Sequence, residues 1–193
     1  MLVFLTGLVV FFAIHLVPSN VAMRDGLIER FGLTGYKAIF GLLSLIGFAL
    51  IVIGFAKLQM HPDKNPQLWV PPLWTRHLAA GLMLPAIIAL VATYVPSRIH
   101  TALKHPMLVA IKIWALAHLF ANGDLAALVL FGSFLAFAVY DRISIKRRHA
   151  LGPLGTKTGP WYNDLIVLGV GTALYLVILL WAHQFFIGVS PLA

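Results

Sequence analysis

The sequence predicts an all-α fold, a polytopic integral membrane helical bundle of about six transmembrane helices. Of the 193 residues, 61% are hydrophobic and 10% are charged, whereas roughly 25% of residues are charged in soluble domains. The apolar residues are gathered into six runs separated by polar connections. Runs of about 20 apolar residues are long enough to cross a bilayer as helices. We therefore interpret residues 1–193 as a single transmembrane domain.

The six apolar runs define the predicted helices. The first, residues 2–17, has the length of a signal peptide but lacks a basic start and a small-residue cleavage motif, so we interpret it as a retained helix. The other runs cover residues 37–57, 74–95, 106–121, 125–141 and 163–187. Some are slightly short for an upright crossing. A short amphipathic helix is predicted at residues 24–37, and loops rich in proline and glycine at 57–74 and 141–164.

The basic residues predict which side of the membrane each connection faces. Eleven of the 14 Lys and Arg residues belong to the first, third and fifth connections. Cytoplasmic connections carry an excess of Lys and Arg, so these three are predicted to be cytoplasmic and both chain termini to lie outside. Membrane lipid is therefore an expected partner.

Charge and cysteine content argue against several function classes. The net charge of +8 comes from basic residues scattered between apolar runs. Membrane topology and contact with anionic lipid headgroups explain this distribution, so no nucleic acid partner is expected. The chain has no cysteine, which excludes thiolate metal sites, iron–sulfur clusters and covalently attached haem. All six acids fall at predicted helix ends or in loops, whereas ion-coupled transporters usually need a carboxylate near the membrane midplane.

Small residues suggest where helices approach closely. Gly169 and Ala173 stand four residues apart in the last apolar run, and Gly132 and Ala136 are spaced in the same way. Such pairs of small residues favour close helix packing in membranes.

The eight histidines are the remaining candidates for chemistry. Four of them lie in polar connections and are expected to have a plain surface role. These four are His61, His100, His105 and His149. His77 and His183 lie near helix ends, where an imidazole reaches the interface. His15 and His118 lie within apolar runs, where an imidazole costs free energy unless something binds it.

The surroundings of His15 and His118 leave two hypotheses open. Trp114, His118 and Asn122 recur at a spacing of four and form one helix face that suits a flat ligand. His15 follows Phe11 by one turn. Two lone histidines on separate helices match an axial pair for haem b better than zinc, which requires a third or fourth ligand. The alternative is that each histidine makes an interhelical hydrogen bond, worth on the order of 1 kcal/mol.

Several segments resemble one bacterial membrane protein family. The segments "FFAIH", "YKAIFGLLSLIGFALIVIGF", "LWVPPLWTRHLAAGLMLPA" and "KHPMLVAIKIWALAHLFANGDLAALVLFGSFLAFAVYDR" resemble the NnrU family over nearly the whole chain. This resemblance implies a multi-pass protein of the bacterial inner (cytoplasmic) membrane that is linked to denitrification, and so to nitrite and nitric oxide metabolism. The expected partners are then a redox partner or nitrogen-oxide reductase, nitric oxide, or a small apolar substrate.

A more distant resemblance is to the plant zeta-carotene isomerases, which are haem b membrane enzymes. It implies that His15 in "FFAIH" and His118 in "WALAH" bind iron. From the spacing along the helix we predict that Trp114 and Asn122 support His118, and we take His77 as a reserve ligand. Arg76 and Arg98 are candidate propionate partners by charge. Where a cysteine precedes the second histidine in the plant enzyme, this chain has Ala115, so a thiolate ligand switch is impossible.

Three functions follow as hypotheses. The first is a haem b protein of nitrogen-oxide metabolism that acts in electron transfer, sensing or as an accessory to a reductase. The second is a haem-dependent cis-trans isomerase of a polyene such as a carotenoid. The third is a membrane scaffold without a cofactor.

Overall fold

The structure, a computed structural model, describes residues 1–192 as helices joined by short connections. The helices are α1 (Leu2–Leu16), α2 (Val21–Gln59), α3 (Leu73–Ala92), α4 (Arg98–Leu103), α5 (Pro106–Ala121), α6 (Leu125–Arg148), α7 (Tyr162–Val177) and α8 (His183–Ile187). A π-helical turn, Ile178–Ala182, joins α7 to α8. Five of these stretches, with α7 to α8 taken as one, are long and apolar enough to cross a membrane, and α5 is a shorter apolar helix. The predicted all-α membrane bundle is confirmed.

Two helices extend beyond their predicted bounds. The predicted amphipathic segment and the second apolar run form one helix, α2, which is interrupted at Gly32, where φ is 71° and ψ is 163°. Only glycine adopts such a positive φ readily, so the break occurs at this residue. Helix α6 continues to Arg148, well past the predicted end at residue 141. Along this extension Arg148 Nε donates to Ser144 Oγ at 3.1 Å.

The chain forms two compact units. The first consists of residues 1–68 and 124–126, and the second of residues 69–123 and 127 onward. In the first unit α1 packs along α2. In the second, α3 packs against both α5 and α7, and most of its buried side chains are small, including Ala79, Ala86, Ala89 and Ala92. Small residues allow helix backbones to approach closely in a bilayer.

Glycines create the closest contacts between α1 and α2. A Cβ added to Gly7 would lie 2.6 Å from Ile51 N, one on Gly47 would lie 2.8 Å from Phe11 N, and one on Gly54 would lie 2.5 Å from Phe4 N. These three contacts recur every three or four residues along the antiparallel pair. We call them the α1–α2 seam.

The glycines predicted to permit close packing are different ones, and that prediction is wrong. Nothing lies within 4 Å of a Cβ added to Gly132 or Gly169. In α7 the close contact occurs at Gly171, where a Cβ would lie 2.9 Å from Ile88 of α3. Spacing within one helix identifies small residues but does not identify the partner that approaches them.

Hydrogen bonds join the connections at each end of the predicted crossings. In the first unit, Asn65 Nδ2 donates to Asp124 Oδ1 at 2.8 Å and Asn65 Oδ1 accepts from Ala126 N at 2.8 Å. In the second unit, Asp164 accepts from the backbone N–H groups of Arg98 and Ile99, at 2.8 and 3.2 Å. The second connection thus meets the fourth, and the third meets the fifth, a pairing that fits six alternating crossings.

Candidate functional site

His15 lies in the last turn of α1 against aromatic rings. Its Nδ1 lies 2.7 Å from the carbonyl oxygen of Phe11, one turn earlier. The imidazole stacks on the Phe11 ring, with centroids 4.1 Å apart and planes 26° apart. The ring of Phe40 on α2 meets it at 5.1 Å and 60°. His15 is therefore a half-buried imidazole between two aromatic rings.

The α1–α2 seam positions this histidine. Gly47 brings α2 against the backbone of Phe11, and Phe11 supplies both the carbonyl and the stacked ring that His15 contacts. The missing side chain at Gly47 therefore helps to set the orientation of the His15 ring. The sequence alone does not reveal this role of Gly47, because the contact depends on the register of the two helices.

His118 lies in the last turn of α5 in a similar environment. Its Nδ1 lies 2.8 Å from the carbonyl oxygen of Trp114. Its ring stacks on Phe131 of α6, with centroids 4.5 Å apart and planes 26° apart, and lies 5.3 Å from the Trp114 ring. Trp114 in turn contacts the edges of Phe131 and Phe134. Like His15, His118 therefore has a backbone carbonyl against its Nδ1 and a phenylalanine ring stacked on its imidazole.

The carbonyl contacts determine the tautomer of both rings. A carbonyl oxygen only accepts hydrogen bonds, so Nδ1 must carry the hydrogen and donate it. In the neutral ring Nε2 then holds the lone pair. Histidines that bind metals commonly have one ring nitrogen held by a carbonyl in this way. The same bond also occurs at the exposed His61, whose Nδ1 lies 2.7 Å from Lys57 O, so aromatic enclosure is the feature that distinguishes His15 and His118.

The remaining predicted site residues have varied surroundings. Asn122 donates from Nδ2 to the main-chain oxygen of His118 at 2.9 Å, so it closes the end of α5 and contacts the backbone rather than the imidazole. The side chain of His77 is exposed. Arg98 Nε lies 3.5 Å from Asp164 Oδ2, so this candidate propionate partner already faces a carboxylate. Arg76 is exposed.

The surface role predicted for His100 is wrong. Its side chain is 4% exposed, its Nδ1 donates to Ala92 O at 2.7 Å, and its backbone N–H is capped by Ser97 Oγ at 3.0 Å. His100 therefore joins α4 to the end of α3. His61 and His149 are exposed, as expected.

His105 is half-buried where α5 begins. Burial, followed by the positive charge of Arg142, lowers the pKa of His105 below its usual value, while Asp141 opposes that shift. The neutral form of this imidazole is consequently favoured in the folded protein.

The side chains that could donate to a metal indicate which kinds of metal group the chain could hold. Within residues 1–192, no group of three or more His, Cys, Asp and Glu side chains is arranged to hold a metal ion. A zinc ion held by protein ligands alone requires such a group. Haem iron requires only one or two axial ligands from the protein, because the porphyrin supplies four nitrogens. His15 and His118 each offer a single ring nitrogen beside an aromatic wall, which is one axial ligand apiece and not a three- or four-ligand ion site.

Comparison with known proteins identifies a family. A family model described as NnrU protein matches residues 3–191, so the match extends through both compact units. No curated protein and no solved structure matches the chain.

Proposed function

The chain belongs to the NnrU family, and we propose that it is a haem b-binding membrane protein that serves nitrite and nitric oxide metabolism. The family's association with denitrification supports the metabolic part of this proposal. One observation carries the haem part: His15 and His118 share a carbonyl-held Nδ1 and a stacked phenylalanine. Such a pair of imidazoles within apolar helices is typical of axial ligands.

The chemistry of these residues supports this assignment. With Nδ1 bound to a carbonyl, the Nε2 atoms of His15 and His118 are the nitrogens suited to bind iron. The rings of Phe11 and Phe131 limit rotation of the imidazoles and keep water away from one face of each. Trp114 adds a further aromatic wall beside His118, of a kind that suits a flat macrocycle.

Ligation by two histidines favours electron transfer among the possible roles. When bound, haem supplies one-electron chemistry. If His15 and His118 both held iron, no position would be open for a gas, and sensing of nitric oxide would require one of the two histidines to be released. Electron transfer needs no such step. A redox partner or a nitrogen-oxide reductase is the corresponding proposed partner.

The experiment that tests the proposal is an absorption spectrum of the full chain purified in detergent from haem-replete cells. The oxidised and dithionite-reduced parent should show a Soret band and a sharp reduced α-band. His15→Ala and His118→Ala should each lose or broaden that band. His61→Ala is the matched control, because His61 makes the same carbonyl contact while exposed, and its spectrum should equal that of the parent.

Other outcomes would redirect the proposal. A colourless parent would overturn it and favour a scaffold. Unchanged spectra in both variants would refute the assignment of these ligands. Tight nitric oxide binding would favour sensing, and conversion of a cis-carotenoid would favour the isomerase alternative.

The orientation of the chain in the membrane is also proposed. We place the protein in the bacterial inner membrane with both termini outside. The distribution of Lys and Arg supports this orientation, and the pairing of connections is consistent with the six crossings on which it depends.

A further inference from the structure

A strongly basic surface lies at one end of the second unit, where residues 96–105 and 141–164 come together. Contacts tie these two segments to each other: Asn163 Nδ2 donates to Pro96 O at 2.6 Å, and a Cβ on Gly152 would lie 3.9 Å from His105 Nδ1. We call this surface the basic end.

The charge at the basic end is unbalanced. Its segments contain seven Lys and Arg residues and two acids. Both acids face arginines, since Asp164 Oδ2 lies 3.5 Å from Arg98 Nε and Asp141 Oδ1 lies 3.6 Å from Arg148 Nη2. An excess of five positive charges remains. The haem proposal uses none of the basic side chains on α6.

Helix α6 carries part of this charge beyond its apolar portion. Residues 125–140 contain no charged side chain and span about 24 Å at 1.5 Å per residue, and the basic turns through Arg148 add about 12 Å. The helix then ends with His149 at φ 49° and with Ala150 N bound to Ile145 O at 3.1 Å. Lys146 and Arg147, in the last turn of the helix, are exposed.

Aromatic side chains at the same end indicate the level of the membrane interface. Trp161 and Tyr162, at the start of α7, are 59% and 55% exposed. Tryptophan and tyrosine are enriched at the headgroup level of membranes. Exposed cations on a helix that continues past its apolar portion, at the same end of the unit as exposed interfacial aromatics, suit the phosphate groups of lipids.

We propose that the basic end binds the headgroups of anionic phospholipids in the adjacent leaflet, with Lys146 and Arg147 as its principal contacts. Clusters of basic residues directly beyond a membrane helix attract anionic lipid in this way. Arg148 is oriented by Asp141 and Ser144 and stiffens the turn that presents the two contact residues.

The test uses the full chain in detergent micelles, titrated with phosphatidylglycerol or with phosphatidylcholine, while bound lipid is counted by native mass spectrometry. The parent should prefer phosphatidylglycerol, and the double variant K146Q/R147Q should bind it about threefold or more weakly. The matched control is K57Q/K64Q, which removes the same charge from two exposed lysines of the first unit. It should bind as the parent does.

Three outcomes would overturn the proposal. Unchanged affinity in K146Q/R147Q would show that these residues do not contact the lipid. An equal loss in the two double variants would trace binding to net charge alone. Displacement of the lipid by inorganic phosphate at the same concentration would identify a site for a free anion. Circular dichroism of both variants should match that of the parent, because all four side chains are exposed.

Discussion

Replacing Gly54 with alanine tests whether close backbone approach holds α1 against α2. The added Cβ would lie 2.5 Å from both Cα and N of Phe4. These are backbone atoms, so no side-chain rotation relieves the overlap. We expect Gly54→Ala to force the two helices apart at this point.

The distances give the size of the effect. Ordinary contact begins at 3.4 Å, so the helices must separate locally by about 0.9 Å, and a gap of that size removes a quarter to a half of the dispersion energy between facing atoms. Phe4 is fully buried beside this point, so its packing opens as well. Overpacking of this kind lowers the free energy of unfolding by about 1–3 kcal/mol.

The assay is reversible unfolding of the full chain in mixed micelles with increasing dodecyl sulfate, followed by circular dichroism. Gly41→Ala is the control on the same helix, since nothing lies within 4 Å of its added Cβ, and it should be neutral or stabilising by up to about 1 kcal/mol. If the two variants unfold at the same dodecyl sulfate fraction, the argument for the α1–α2 seam is refuted.

Three further predictions concern the connections. Asp124→Ala removes the acceptor of the buried Asn65 amide and should lower the free energy of unfolding by about 1–3 kcal/mol. The control Asp63→Ala, at an exposed acid, should have little effect, and equal losses in the two variants would contradict this prediction. The pKa of His105 is lowered in the folded state by burial and then by a neighbouring arginine, so the unfolded state binds more protons below about pH 6.5 and the free energy of unfolding should fall on acidification. Unfolding in dodecyl sulfate at about pH 8 and pH 5.5 should show a smaller fall for His105→Gln than for the parent. An equal fall in the two proteins would contradict the assignment. Because the chain has no cysteine, single variants report topology cleanly: an impermeant maleimide should label Lys64→Cys in intact cells and Lys146→Cys only after permeabilisation, and the reverse pattern would invert the proposed orientation.

Hydropathy alone located the long apolar helices, though not the short helix α4, because an apolar run in a bilayer must satisfy its backbone hydrogen bonds within itself. Hydropathy did not predict the polar ends of α2 and α6 as parts of those helices. Residues 141–148 are too charged to be assigned to a crossing, yet Arg and Lys are good helix formers, and the contact of Arg148 with Asp141 extends α6 by side-chain interactions. Hydropathy does not record such interactions.

The candidate site was predictable to the extent that it is local. Trp114 stands one turn before His118, so helical periodicity places the two rings together, and the structure has them 5.3 Å apart. Phe131 and Phe40 come from other helices, so their positions depend on packing. The burial of His100 likewise depends on the corner between α3 and α4.

The sequence by itself determined the class of the molecule, the approximate crossings and the two histidines within apolar runs, because composition and helical period act over a few neighbouring residues. Tertiary structure decided which glycines face another backbone, which rings enclose His15 and His118, and where seven basic residues gather. Those outcomes depend on the register between helices that are distant in the chain, and register is set by the fit of facing surfaces.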